Sequence, residues 1–351
     1  AGAEFEFEQY SWSEDSKRDE EPADPETAEE VCLTPTGEYS PVGEALVYEP
    51  IGQGRTTGHV VDLVIANPAS CATTVTIPAC IVPATGRQQG YLIPDAYVVT
   101  IPGNATETVA LRGFCTDIHR PPVAAGTETT PFEEWIFQPE ARPVPAPGDR
   151  MTATEGFVAL DADQIGAGSF TVTYPGSEAP FPYTIDINRH PEASAPLLFD
   201  AFTAITAAYD SLSATDAIST PFQHDPEKER TSVLQQSFWT YTAALTGAEY
   251  KIGDFSERVV AEYESASGQD FDEAPEATRE SVHLGAVDFW NTFTAVGESA
   301  KVYRNNDGKF VVCYAKKNCV GRIGPGVTKE WCKSEGYKSY RPGQFKPCVN
   351  F

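Results

Sequence analysis

The hydrophobic pattern between residues 40 and 190 predicts a series of short β-strands. Runs of β-branched and aromatic residues alternate with turns such as Asn67-Pro68 and Pro102-Gly103-Asn104. A strand about every ten residues is typical of an antiparallel sandwich or barrel. Further runs near residues 157–160, 170–174 and 183–187 complete this sandwich or form a second one. The first five predicted strands lie near residues 46–48, 60–65, 73–77, 97–101 and 108–111.

One stretch of this region combines three of these strand and turn segments. Asp62-Leu63-Val64-Ile65-Ala66-Asn67 is followed by Thr100-Ile101-Pro102-Gly103-Asn104 and by Thr108-Val109-Ala110-Leu111. This stretch, from His59 to Cys115, resembles the Ig-like β-sandwich modules of bacterial extracellular proteins. The resemblance covers a small part of the chain, and it implies an antiparallel sandwich and an extracellular location.

After residue 190 the period changes, and apolar residues recur every three or four positions. This spacing predicts four amphipathic helices, which form a bundle or a helical layer on the sheet. Their starts are indicated by Ser194 with Pro196, by Asp225-Pro226, by the Asp254/Glu257 capping pair and by Pro275. The apolar positions include Leu198, Phe202, Ile205, Tyr209, Leu212, Leu234, Phe238, Tyr241, Leu245, Val259, Tyr263, Val282, Ala286, Phe289, Phe293 and Val296.

These patterns predict an α+β multidomain protein with four parts. An extended acidic arm spans residues 1–35, and a β-sandwich region of Ig-like type spans residues 36–192. A four-helix module spans residues 193–300, and a small basic cysteine-rich domain spans residues 301–351. The last segment is short enough that we expect disulfides to stabilise it.

The N-terminal arm contains an amphipathic strand. Glu4-Phe5-Glu6-Phe7-Glu8 alternates strictly, so Phe5 and Phe7 lie on one face. Such a strand can pair with the edge of another sheet, in which case main-chain hydrogen bonds supply affinity and the two rings fix the register. We therefore expect Phe5 and Phe7 to mediate self-assembly.

Eight cysteines fall into two sets of four, which predicts two local disulfide frameworks formed in an oxidising compartment. Zinc is the alternative, but structural zinc sites usually bring ligands in close C-x-x-C pairs, which this chain lacks. Four cysteines allow three pairings in each set, and the spacing does not choose between them. The sets are Cys32, Cys71, Cys80 and Cys115, and Cys313, Cys319, Cys332 and Cys348.

Charge is divided unevenly along the chain. Residues 301–351 hold eleven basic and three acidic side chains, a net of +8, which leaves −34 on the rest because the whole chain carries −26. An acidic body of this kind repels nucleic acid. The basic tail and the acidic arm are complementary, which favours a homo-oligomer or polymer joined head to tail.

Aromatic residues alternate with basic ones in the tail. This arrangement can stack on sugars or bind anionic polymers, so a surface glycan is a further predicted partner. Packing in a small cysteine-rich domain is the alternative explanation. The residues concerned are Trp331, Lys333, Tyr337, Lys338, Tyr340, Arg341, Phe345 and Lys346.

Chemistry-bearing motifs are sparse. The five histidines belong to no H-E-x-x-H motif, and the chain has no G-x-S-x-G motif or phosphate-binding glycine loop. Asp117 and His119 share a predicted strand face and offer a metal site or a base with its orienting acid, although a solvated strand end explains them as well. The loop at Asp161 and Asp163 offers oxygens to Ca²⁺ but lacks the spacing of an EF-hand.

We therefore expect a secreted or cell-surface structural or adhesive protein without a cofactor, and not an enzyme. The Ala-Gly-Ala start is typical of a chain whose signal peptide has been removed. No run approaches the roughly 18 apolar residues of a membrane span. Hydrolysis of glycan or peptide by paired carboxylates is the main alternative, and the pairs available are Glu133-Glu134, Asp161/Asp163 and Asp270/Asp272.

Overall fold

A computed structural model provides the structure of this chain. In the described segments the protein is α+β, with antiparallel sheets and five α-helices. Those segments are residues 46–70, 72–138, 170–172, 181–183, 187, 191–218, 225–245, 250–303, 310–323, 327–343 and 346–351.

Two antiparallel sheets make up residues 47–137. The larger sheet has the strand order β1-β2-β7-β5-β4-β8, and β3 pairs with β6 in a separate two-stranded sheet. The strands are β1 (Val47–Gly52), β2 (Thr57–Asn67), β3 (Thr73–Ile77), β4 (Cys80–Val82), β5 (Tyr91–Ile93), β6 (Tyr97–Ile101), β7 (Ala105–Cys115) and β8 (Ile136–Phe137).

Residues of both sheets form the front core. Alternate residues Val61, Leu63 and Ile65 of β2 are fully buried, and Ile77 and Ile101 at the ends of β3 and β6 join the same cluster. Because successive strand residues point to opposite faces, the intervening residues of β2 face away from this core. The front half is thus built on the period-two pattern that its sequence predicts.

The five strands predicted first are confirmed as β1, β2, β3, β6 and β7. Of the later runs, residues 170–172 form β9 (Phe170–Val172), which pairs antiparallel with β10 (Phe181–Tyr183). The run at 157–160 lies outside the described residues. The antiparallel sheets agree with the predicted class, and the closer resemblance to Ig-like modules stays a prediction.

Four long helices follow. The predicted apolar positions hold them together: Phe238 and Phe293 are fully buried, and Ile205 and Val296 are as well. None of the described helices is long and apolar enough to cross a membrane. The helices are α1 (Pro191–Ala214), α2 (Pro226–Leu245), α3 (Ile252–Ser267) and α4 (Glu276–Ser299).

The predicted helix ends need two corrections. Helix α1 begins at Pro191, ahead of Ser194 and Pro196. Helix α3 has Lys251 as its N-cap, and Asp254 is the third helical residue, whose carboxylate accepts the Lys251 backbone N–H at 3.1 Å. A carboxylate can cap an unpaired N–H of the first turn from the N-cap position or from the third helical position. The Asp254/Glu257 pattern alone therefore does not fix the residue at which the helix begins. Helix α3 ends at Gly268, which takes the left-handed conformation.

The tail is a small antiparallel sheet crossed by one short helix. Strand β11 is central, and it pairs with β12, β13 and β14, while β14 also pairs with β15. The elements are β11 (Phe310–Lys316), β12 (Val320–Ile323), β13 (Val327–Thr328), α5 (Lys329–Ser334), β14 (Ser339–Arg341) and β15 (Val349–Asn350).

Strand β11 serves two cores. Phe310, Val312 and Tyr314 face the helices and belong to the large cluster that also contains residues of α1 to α4. Val311 and Cys313 face the other way and pack with Cys332. The tail therefore forms a layer on the helices, and the same hydrophobic cluster continues into the front sheet through β4, β5 and β7.

Candidate functional site

The tail disulfides are confirmed, and the structure gives their pairing. Cys313 bonds to Cys332 and Cys319 bonds to Cys348. The first pair is fully buried against Val311.

The first set of cysteines differs from the prediction. Cys80 and Cys115 are free, buried thiols, and Cys32 and Cys71 lie outside the described residues. Cys80 packs in the front core, whereas Cys115 packs in the large cluster with the helices, so the two thiols belong to different hydrophobic clusters. A framework joining all four cysteines is not what the structure shows. Phe5 and Phe7 also lie outside the described residues.

The Cys115 thiol lies among polar groups at the end of β7. Its Sγ donates to Gln89 Oε1 at 2.5 Å and lies 3.2 Å from the Asp117 carbonyl oxygen. The Asp117 backbone N–H donates back to Sγ at 3.3 Å. Burial is the main cause that raises the pKa of the Cys115 thiol to about 12, so the group is uncharged in the folded protein.

Gln235 of helix α2 forms two hydrogen bonds with the backbone of Cys115. Its Oε1 accepts the Cys115 backbone N–H at 2.8 Å, and its Nε2 donates to the Cys115 carbonyl at 3.0 Å. The same N–H also reaches the Thr56 carbonyl at 2.9 Å, so it is shared between two acceptors. Gln235 is fully buried, and these two bonds hold its carboxamide against the backbone of Cys115.

Trp239 lies one helical turn after Gln235 and beside the thiol. Its N–H lowers the pKa of Cys115, opposing the effect of burial, yet the indole nitrogen is buried without a partner within hydrogen-bond distance in the described part of the chain. Arg258 of α3 stacks on the indole ring at 4.9 Å. On the same helix burial raises the pKa of Glu262 to about 7, against the lowering effect of the Arg258 charge. We call Cys115, Gln89, Gln235 and Trp239 the thiol site.

The Asp117/His119 pair takes neither predicted form. Strand β7 ends at Cys115, so both residues lie in the following turn, where Asp117 Oδ1 accepts the His119 backbone N–H at 2.9 Å. Asp117 is buried and ion-paired with Arg120 at 3.3 Å, while His119 is exposed. The imidazole therefore does not face the carboxylate across a strand.

A second acid–imidazole contact escaped the sequence analysis. His59 Nε2 lies 2.6 Å from Asp62 Oδ1, and Gln53 Nε2 donates to Asp62 Oδ2 at 2.7 Å. A bulge in β2 between His59 and Val61 brings residues three apart onto one face. A strict period of two would have placed them on opposite faces, so only the bulge reveals the contact.

The predicted carboxylate pairs within the described segments occupy the surface. Asp270 accepts the Asp272 backbone N–H at 2.9 Å, so this pair caps a short 3₁₀ turn. Glu133 and Glu134 are exposed in another such turn. Asp161 and Asp163 lie outside the described residues, and the described ones contain no cluster of three metal-binding side chains.

The tail presents paired aromatic rings to solvent. Trp331 and Phe351 are 39% and 36% exposed. Trp331 lies 6.0 Å from Tyr337, Phe351 lies 5.1 Å from Tyr340, and Lys329 Nζ lies 5.7 Å from the Tyr340 ring. Lys333 and Lys338 are exposed nearby in sequence. We call this set the tail surface: Lys329, Trp331, Lys333, Tyr337, Lys338, Tyr340 and Phe351.

The aromatic residues of the helices have the opposite role. Trp239, Tyr241, Phe289 and Trp290 are at most 3% exposed and pack in the large hydrophobic cluster.

His283 of α4 makes stability depend on pH. Burial, assisted by the Arg279 charge, lowers its pKa to about 4, compared with about 6.5 when unfolded. The neutral ring packs on Phe271 at 5.1 Å. Its contribution is therefore complete above pH 6.5 and is lost as the pH falls towards 4. Between pH 6.5 and pH 4 we expect the wild type to lose roughly 1–3 kcal/mol more unfolding free energy than the His283→Gln variant, as measured by urea unfolding. The exposed His119→Gln variant is the control, and equal pH profiles for the two variants would contradict the assignment.

Comparison with known proteins found no match for this chain. It matches no protein-family model, and no curated protein or solved structure shows significant similarity to it.

Proposed function

We propose that this protein is a secreted or cell-surface adhesive protein that attaches through its tail surface to an acidic glycan. The observation that carries the proposal is that two exposed aromatic rings, Trp331 and Phe351, pack on Tyr337 and Tyr340, with Lys329 over the Tyr340 ring, on a layer held by two disulfides. Flat rings offer faces for sugar rings, and lysines attract carboxylate or sulfate groups. The disulfides support an oxidising, extracellular location.

The rigidity of the tail supports binding rather than mere packing. Cys332 anchors helix α5 to β11, and Phe351 N–H donates to the Lys338 carbonyl at 3.1 Å, which ties down the chain end. Side chains on a fixed backbone lose less conformational entropy when a ligand binds. The tail carries a net charge of +8, which attracts an anionic partner such as an acidic glycan.

Self-assembly stays part of the proposal in a weaker form. Strand donation by Phe5 and Phe7 is a prediction that the described residues neither favour nor oppose. Hydrolysis of glycan or peptide likewise stays a prediction. The described carboxylate pairs that the sequence singled out cap turns or lie on the surface, and they give it no support.

Binding of the full chain to two immobilised acidic polysaccharides tests this function, with heparin as the sulfated probe and alginate as the carboxylated one. We expect binding to at least one of them, weakening with added salt. The triple variant K329Q/K333Q/K338Q should raise Kd about tenfold or more. The matched control is Lys251→Gln, which removes an exposed cation at the start of α3 and should leave Kd unchanged. Absence of binding to both probes, or an unaffected triple variant, would refute the proposal.

A further inference from the structure

The thiol site combines a nucleophile with a fixed carboxamide. Cys115 is unpaired and fully buried, and the carboxamide of Gln235 is held on its backbone by two hydrogen bonds of 2.8 and 3.0 Å. The two residues are 120 positions apart, so the fold alone brings them together. Because the carboxamide is bonded to both backbone groups of Cys115, its acyl carbon is held on the residue that carries the thiol, and such proximity is what nucleophilic acyl transfer requires.

The two glutamines have different roles. Gln89 Oε1 and the Asp117 carbonyl are both acceptors for the S–H, and the sulfur itself accepts the Asp117 backbone N–H. The Oε1 of Gln235 accepts the Cys115 backbone N–H, which polarises its carbonyl. A backbone N–H on a carbonyl oxygen is also the donor that stabilises the oxyanion of a tetrahedral intermediate.

Trp239 supplies an independent observation. Trp239 is only 1% exposed. Its indole N–H lies beside the Cys115 sulfur and has no partner within hydrogen-bond geometry in the described chain. The sulfur of a free thiol is only a weak acceptor for this buried N–H, whereas a carbonyl would be a strong one. An acyl group attached to the sulfur would bring a carbonyl to this position.

A similar clamp elsewhere shows what is particular to Cys115. Asn291 of α4 also bonds both backbone groups of one residue, accepting the Phe310 N–H at 3.1 Å and donating to the Phe310 carbonyl at 3.3 Å. That clamp serves packing alone, because phenylalanine has no reactive side chain. At Cys115 the same kind of clamp places the amide beside a thiol.

We propose that Cys115 and Gln235 condense to an internal thioester and release ammonia. The sulfur forms a bond to Gln235 Cδ, the Cδ–Nε2 bond breaks, and the thiol proton leaves with Nε2. The step exchanges one acyl bond for another, so it needs no oxidant or reductant. Both the reactants and the thioester are uncharged, which suits a site this deeply buried.

The thioester would make the protein an acyl donor towards primary amines. An amine attacks Gln235 Cδ, an amide bond forms, and the thiol of Cys115 is restored with the proton that the amine loses. Burial protects the bond from water, and the chain returns to the surface at the exposed His119, four residues beyond the sulfur. This use rests on the proposed adhesive function, because it would make attachment to an amine-bearing surface covalent; the bond itself does not depend on it.

Intact mass of the full chain tests the proposal. Protein purified without amines or ammonium should weigh about 17 Da less than its disulfide-bonded sequence, the mass of ammonia. Methylamine treatment should then add one methylamine, map it to Gln235 by peptide analysis, and free one thiol for alkylation. An unshifted mass together with no methylamine uptake in folded protein would overturn the thioester, whatever the polysaccharide assays show.

Variants assign the two ends of the bond. Cys115→Ser and Gln235→Glu should abolish the mass loss, whereas Cys80→Ala should keep it, because Cys80 is the matched buried thiol in the front core. Methylamine found on Gln89 would overturn the assignment to Gln235. The wild-type mass needs no variant to fold, so the test does not depend on their stability.

Discussion

The Trp290→Ala variant is expected to lose about 3–5 kcal/mol of unfolding free energy, the range for large aromatic residues in a close-packed core. Trp290 is fully buried on α4 and lies between three parts of the chain. Its ring is 5.6 Å from Phe255 of α3, 5.0 Å from Phe293 of its own helix and 5.9 Å from Phe310 of the tail. Removing it leaves a cavity that fixed helices cannot close.

Denaturant unfolding measures this loss, with Trp331→Ala as the matched control. The Trp331→Ala variant removes the same side chain from the tail surface, where Trp331 is 39% exposed. We expect it to lower the unfolding free energy by about 0.5 kcal/mol or less. A loss below about 1.5 kcal/mol at Trp290 would mean that the helices and the tail do not share one core.

Removing the Cys313–Cys332 disulfide should have the second largest effect. Chain entropy alone gives about 3.2 kcal/mol for a separation of 19 residues and about 3.6 kcal/mol for the 29 residues between Cys319 and Cys348. Burial reverses this order: Cys313 and Cys332 are fully buried, whereas Cys319 and Cys348 are half-buried near the chain end. We therefore expect about 4 kcal/mol or more for C313A/C332A and about 2–3 kcal/mol for C319A/C348A.

Urea unfolding of both double variants distinguishes loop entropy from burial as the main source of the stability that the disulfides give. If C319A/C348A proves as costly as C313A/C332A, or more so, loop entropy governs the tail and packing around Val311 contributes little.

The regular elements were predictable because local patterns specify them. The five strands with β-branched runs and the four helices with apolar positions every three or four residues were all found. Strands β4 and β5 were missed because each has three residues, all buried. With both faces covered, neither strand has a polar position to reveal its period.

The thiol site could not be predicted, for a different reason. Cys115 was counted among the disulfide cysteines because an even set in one segment favours pairing. Its partner Gln235 lies on a helix 120 residues later and has no local signal that sets it apart from other glutamines. Contacts between distant segments depend on packing, which composition and period do not encode. The bulge that unites His59 and Asp62 is similarly invisible in the sequence.

Strand β11 has a consequence for how the protein matures. Because its alternate residues face two cores, a slip of one position would turn Cys313 towards the helices and carry its sulfur out of bonding reach of Cys332. Formation of the Cys313–Cys332 disulfide therefore requires the correct register of β11 on the helical layer. A chain in which β11 is out of register would keep Cys313 and Cys332 as free thiols, which alkylation can detect.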